Sequence, residues 1–323
     1  MTLRAERVLA TVDWAHFAME GSGRGSGYAM DPRPRRATDG KTEPPTRTRT
    51  HSLGLFARYL RGDTAPSEQQ LYYMDQRVEG SRSRFYHPLY RLLAEPTTEW
   101  HELVEILDDL ALSLQCRIFD IDGAQGPGMY QLPTTSRRQT DLAVQGDGYA
   151  LTALLALALH AKGEEDFALA LDVATRAYQC MLFALARGEF RSIHTALTVR
   201  IRQQVLDQIE CQGMVLDTAS LDIEVGIARL RELLDRHGLA DPGANGAARR
   251  RLFRQVLAGG HGELLPLITP ARVPIAVAAA LRVQHRKPIE MDSLPRGRFQ
   301  HVRRFGKRAR GVLNAALADY WVD

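Results

Sequence analysis

Two carboxylates one residue apart, Asp120 and Asp122 in the run Ile118-Phe119-Asp120-Ile121-Asp122-Gly123, have the spacing in this chain that best suits catalysis. Such a pair can share Mg²⁺ and divide nucleophilic from acid/base work. A second chemistry is spread more widely. Arg58 and Arg61 lie in SLGLFARYLRGD and Arg82 and Arg84 in SRSRFYHPLY, while Arg303, Arg304, Lys307 and Arg308 interleave with Phe299 and Phe305 in RGRFQHVRRFGKRARG. Cationic side chains neutralise phosphates, arginine reads O6 and N7 of guanine, and exposed aromatics stack on bases. Metal chemistry finds less support. Trp100-His101-Glu102 lacks the second His of a zincin helix, the fourth residue on being Glu105, and the other histidines show no ligand spacing. Cys116, Cys180 and Cys211 are odd in number and far apart, so neither a disulfide framework nor a structural zinc is expected. No metal and no cofactor is predicted, and a reducing cytoplasm fits best.

The elements that must position these residues follow from charge and apolar spacing. The formal net charge of +4 is unevenly distributed: residues 24–49 carry +4 and residues 282–310 carry +8, which leaves −8 for the remainder. Two basic segments around an acidic middle favour a polyanionic partner. Residues 21–50, rich in Gly, Pro, Arg and Thr, read as a flexible basic arm that cannot bury enough apolar surface to offset its ordering entropy. Within the N-terminal segment 1–50 a short helix is expected over residues 4–19, and Met30 offers a second start that would make that first segment dispensable. No run is long and apolar enough for a membrane span, and the first residues do not read as a secretory signal.

The predicted fold class is mainly α: a multi-helix bundle with a small helix-turn-helix-like module behind the flexible arm. The expected division is an arm over 1–50, a small helical module over 51–122, a loop or linker over 123–148 and a helical domain over 149–323 ending in a basic helix near 303–320. In the module, Leu53, Phe56 and Leu60 share one helical face, Gly62 ends the helix, and Ser67 with Gln70 has the spacing of a capping box. Thr98 is expected to cap a helix carrying Leu103, Ile106, Leu107 and Leu110. Further helices are predicted between 149 and 210, over 221–237 and over 247–257. Residues 115–121 are the best strand candidate, and 272–280 reads as helix or strand.

Residues 52–78, SLGLFARYLRGDTAPSEQQLYYMDQRV, resemble the second half of a helix-turn-helix of the phage-repressor type, in which a basic recognition helix ends in a Gly turn and a Pro-Ser-initiated helix follows. The resemblance implies that Arg58 and Arg61 face DNA; the family's first two helices are not found directly upstream. Residues 118–123 resemble the first motif of haloacid-dehalogenase-like phosphatases, with Ala124 where that motif has Thr. The resulting expectation is a non-catalytic nucleic-acid-binding protein of the bacterial cytoplasm, a DNA-binding regulator binding DNA rather than RNA, with a homodimer or protein partner and no membrane. Arg58, Arg61, Arg82, Arg84, Arg303, Arg304, Lys307 and Arg308 are its predicted contacts. The alternatives are a helical protein–protein interaction module and, more remotely, a Mg²⁺-dependent phosphatase acting through Asp120 and Asp122.

Overall fold

The computed structural model describes residues 4–23, 54–120, 130–131, 134–241 and 243–284. Its elements are overwhelmingly helical, as the periodicity predicts. The chain divides into two compact units, the division falling between Tyr90 and Arg91. That corrects the expected boundary at 122: residues 91–120 belong with the second unit.

The first unit is organised around α1 (Ala5–Gly21). The expected helix is there, and it is a core element. Val8, Leu9, Val12, Trp14, Ala15 and Ala18 are buried, with Trp14, Ala15 and Ala18 wholly so. Around Trp14 stand Phe56, Tyr59 and Phe85, with ring centroids 5.6, 5.4 and 6.3 Å away. A first segment dispensable to the fold is therefore ruled out, since three later aromatics close on it. The rest of the predicted arm, residues 24–50, lies outside the described residues.

Helix α2 (Leu55–Leu60) buries Phe56 and Tyr59 and ends at Gly62, whose φ of +71° releases the chain. A Cβ at Gly62 would come within 2.5 Å of Val8, so the turn is also a close approach to α1. Helix α3 (Glu68–Asp75) opens with the predicted box: Ser67 accepts from the Gln70 amide, and the Gln70 side chain accepts from the Ser67 amide. The same Gln70 oxygen accepts from the Tyr59 hydroxyl at 2.7 Å, tying α2 to α3. Short α4 (Ser81–Phe85) follows, and α5 (Pro88–Ala94) carries the chain across the division.

His87, 3% exposed, sits between α4 and α5, and its Nδ1 accepts from the Leu89 amide at 3.1 Å. Burial, and then the charge of Arg84, lowers its pKa to about 3. In the unfolded chain the ring titrates near 6.5, so its stabilising effect is whole above about pH 6.5 and is lost as pH falls from there toward 3. At about 1.4 kcal/mol per pH unit, the first unit should lose about 2 kcal/mol between pH 7 and pH 5. His87→Asn, whose Oδ1 can take the place of Nδ1, should flatten this slope in urea midpoints; an equal slope would assign it to other groups.

The second unit is built on a helical hairpin, α9 (Gly148–Gly163) and α10 (Phe167–Ala186), capped by Asp147 and Asp166. Before it come α6 (Trp100–Leu107), α7 (Leu112–Ile118), a two-residue pairing of β1 (Phe119–Asp120) with β2 (Tyr130–Gln131), and α8 (Ser136–Ala143). Thr98 does not cap α6: Glu99 takes the N-cap position, and its amide bonds Thr97 Oγ1. The expected linker over 123–148 is in part a helix, because Thr135 accepts from the Arg138 amide and starts α8. After the hairpin follow α11 (His194–Gln204), β3 (Glu210–Cys211), β4 (Met214–Asp217), α12 (Ile223–Arg236), α13 (Gly246–Leu257), α14 (Leu265–Ile268), β5 (Ala271–Pro274) and α15 (Ile275–Gln284). The three strands form an antiparallel sheet with Met214 opposite Pro274 and Asp217 opposite Ala271. The ambiguous segment 272–280 is thus strand and then helix, and the strand predicted over 115–121 is mostly α7.

By length and composition α10 is apolar enough to cross a membrane, but 72% of its apolar window is buried inside the protein, as in the core helix of a bundle. Phe183 on α10 stacks on Phe253 of α13 at 4.1 Å with an interplanar angle of 6°. Cys116, Cys180 and Cys211 are all free.

Candidate nucleic-acid interface

The predicted basic residues of the first unit have different environments. Arg58, in the last turn of α2, is exposed, and its guanidinium has no partner among the described residues. Arg61 pairs with Asp63 at 2.7 Å, both about a quarter exposed. Such a pair contributes about 0–1 kcal/mol and exchanges easily for a phosphate. Phe56 and Tyr59, buried against Trp14, fix which side of α2 faces outward.

Arg82 is exposed and reaches Glu68 on α3 at 3.4 Å, while its guanidinium lies 5.9 Å from the Tyr86 ring. The Tyr86 hydroxyl donates to the same Glu68 carboxylate, and burial and that bond raise its pKa. Arg84 is placed otherwise. It forms an ion pair with Asp13 of α1, which is 3% exposed and also accepts from the Tyr90 hydroxyl at 2.8 Å. Burial and then Asp13 hold the Tyr90 phenol well above its ordinary pKa, so it stays a donor. Arg84 therefore ties α4 to α1 from the inside and is withdrawn from the surface. Arg303, Arg304, Lys307 and Arg308 lie outside the described residues.

The outer side of α3 adds groups that the sequence reading did not single out. Arg77 stacks over Tyr73 at 4.0 Å, and Tyr72 beside it is 60% exposed. Leu71 and Met74 point inward, so the intervening tyrosines must point out; that period was legible in QLYYMDQR. An arginine over an aromatic face and an exposed tyrosine form a surface on which an unpaired base could stack.

Asp120 lies on β1 opposite Tyr130, and Asp122 lies outside the described residues. No group of three or more His, Cys, Asp or Glu is placed to hold a metal among the described residues. Fold and surface together define a mainly α, multi-helix protein with a small aromatic-cored N-terminal unit that presents arginines. Comparison of the chain with protein-family models, with curated proteins and with solved structures finds no match.

Proposed function

We propose that this is a non-catalytic, DNA-binding protein of the regulatory kind, with α2 as the element that reads sequence. The observation that carries this reading is Arg58, an exposed guanidinium with no partner among the described residues, on a helix whose opposite side is locked by Phe56 and Tyr59 against Trp14. A reading helix needs this partition, because a guanidinium contributes to specificity only when its backbone is held still against the groove. Arg61 and Arg82, in exchangeable surface pairs, supply phosphate contacts. The partial resemblance of residues 52–78 to a phage-repressor helix-turn-helix supports the same assignment.

Binding to random and selected duplexes across a salt series tests it. Wild-type protein should bind with a steep negative salt slope. The double variant Arg58→Ala with Arg61→Ala should lose about 1–3 kcal/mol of discrimination for each base contact removed while keeping most of its non-specific affinity. An unchanged sequence preference would remove α2 from the reading role.

A second reading, protein–protein interaction, draws on Ile275 and Val277, 41% and 45% exposed on α15. It is favoured if no duplex binds at low salt and association instead proves salt-insensitive.

A further inference from the structure

The second unit contains an arginine-lined cavity. Arg117 of α7, Arg137 of α8 and Arg254 of α13 converge on an open depression of about 750 Å³, with Ser136, Thr140 and Asp141 completing the wall. Arg138 lines an adjoining depression of about 730 Å³ that shares Arg117, Arg137 and Asp141. In the first depression three guanidinium groups meet one carboxylate among the described residues, so an excess of two positive charges faces a concave surface.

Two of the arginines are held in place from behind. Arg254 Nη2 donates to Asp141 Oδ1 at 2.7 Å. Arg117 donates from Nη1 to the Asp141 carbonyl and from Nε to the Ser113 carbonyl, each at 3.3 Å. Arg137 is exposed and has no partner among the described residues. The one carboxylate among the described lining residues is thus engaged by Arg254 and leaves Arg117 and Arg137 unneutralised.

The charge order of α8 supports the same conclusion. Helix N-termini favour acids, yet the first turn of α8 carries Arg137 and Arg138 and no acidic residue. Placing the exposed Arg137 there costs about a few tenths to 1 kcal/mol, a cost that an anion in the cavity would offset.

We propose that this cavity binds a phosphate-bearing ligand, with Arg117, Arg137 and Arg254 as its charge partners. Two excess positive charges call for a polyanion, since a monocarboxylate would neutralise one. The planar guanidinium fork matches phosphate oxygens two at a time. The volume lies within the roughly 300–1,000 Å³ of small-molecule sites. This inference does not rest on the DNA-reading role of α2.

Calorimetric titration of the full chain with inorganic pyrophosphate, ATP and a short single-stranded oligonucleotide tests the proposal. Pyrophosphate or ATP should bind saturably at one site per chain. Arg137→Glu, which breaks no side-chain hydrogen bond or ion pair among the described residues, should weaken that binding roughly tenfold or more, as expected for a lost charge-assisted contact turned repulsive. Arg236→Ala on α12 should leave it unchanged. If the oligonucleotide competes with pyrophosphate and is weakened by the same Arg137→Glu change, the phosphate comes from a nucleic-acid backbone. If only pyrophosphate and ATP respond, it comes from a free nucleotide-like molecule. Either pattern supports the site. Absence of saturable binding by all three probes, or equal affinity in Arg137→Glu, overturns it.

Discussion

Trp14→Ala is expected to destabilise the first unit by about 3–5 kcal/mol, the range for removing a large buried aromatic. Trp14 is 0% exposed, and its ring meets Phe56, Tyr59 and Phe85, one from each of α2 and α4 and one from the end of α2. Truncation to alanine empties the place where these elements meet and leaves no neighbouring side chain large enough to refill it. A small unit has about 5–15 kcal/mol of total stability, so the loss consumes much of it. Phe17→Ala on the same helix, at a position 37% exposed, is expected to cost much less. Hydrogen exchange over residues 54–90 gives the readout: the Trp14 variant should lose protection throughout α2, α3 and α4, and the Phe17 variant should keep it. Protection at the wild-type level in the Trp14 variant would show that α1 does not hold the unit together. Starting the chain at Met30 removes α1 entirely and should be at least as damaging. Because α2 is oriented by the same ring cluster, the Trp14 variant should also lose any DNA sequence preference.

What the sequence made legible follows the range of the interactions involved. The Gly62 turn and the Ser67–Gln70 box could be read because each is decided within three or four residues. The helices of the second unit could be read because their apolar residues recur over one or two turns; the structure adds the caps Asp147, Asp166 and Asp222 directly before them. The role of α1 could not, because its partners are remote in sequence: Asp13 and Arg84 are separated by 71 residues and Asp13 and Tyr90 by 77. For the same reason Arg84 read as a surface cation when it is a half-buried tie to the buried Asp13. The boundary at 122 was drawn from the Gly and Pro cluster at 123–128, a local signal, whereas the chain divides between Tyr90 and Arg91. The arginine cavity was hidden most completely. Arg254 reaches Asp141 across 113 residues, and neither residue stands out in its own segment.

Gly146→Ala is the largest single change expected in the second unit, and its size can be separated into two causes by a control. Gly146 has φ of +57°, so any side chain there meets the left-handed penalty of about 1–2 kcal/mol. A Cβ at that point would also stand 2.7 Å from Phe253 Cε2 and 2.8 Å from Phe183 Cβ, inside the stacked pair that joins α13 to α10. Neither ring can retreat without breaking the stack, and overpacking of this kind costs about 1–3 kcal/mol more. The Gly146 carbonyl accepts from Arg187 Nη1 at 2.6 Å, and the Gln145 carbonyl accepts from the same nitrogen at 3.0 Å, so the backbone is pinned and cannot shift to make room. Together these put the expected loss at about 2–5 kcal/mol. Gly188 shares the positive φ, at +87°, but has open space where its Cβ would be, so Gly188→Ala should cost only about 1–2 kcal/mol. Equal losses in the two variants, measured by urea unfolding, would mean that the Phe183–Phe253 stack yields freely and that conformational strain alone governs both glycines. A larger loss at Gly146 would identify the aromatic stack as the contact that fixes α13 against the hairpin, and with it the position of Arg254 beside Asp141.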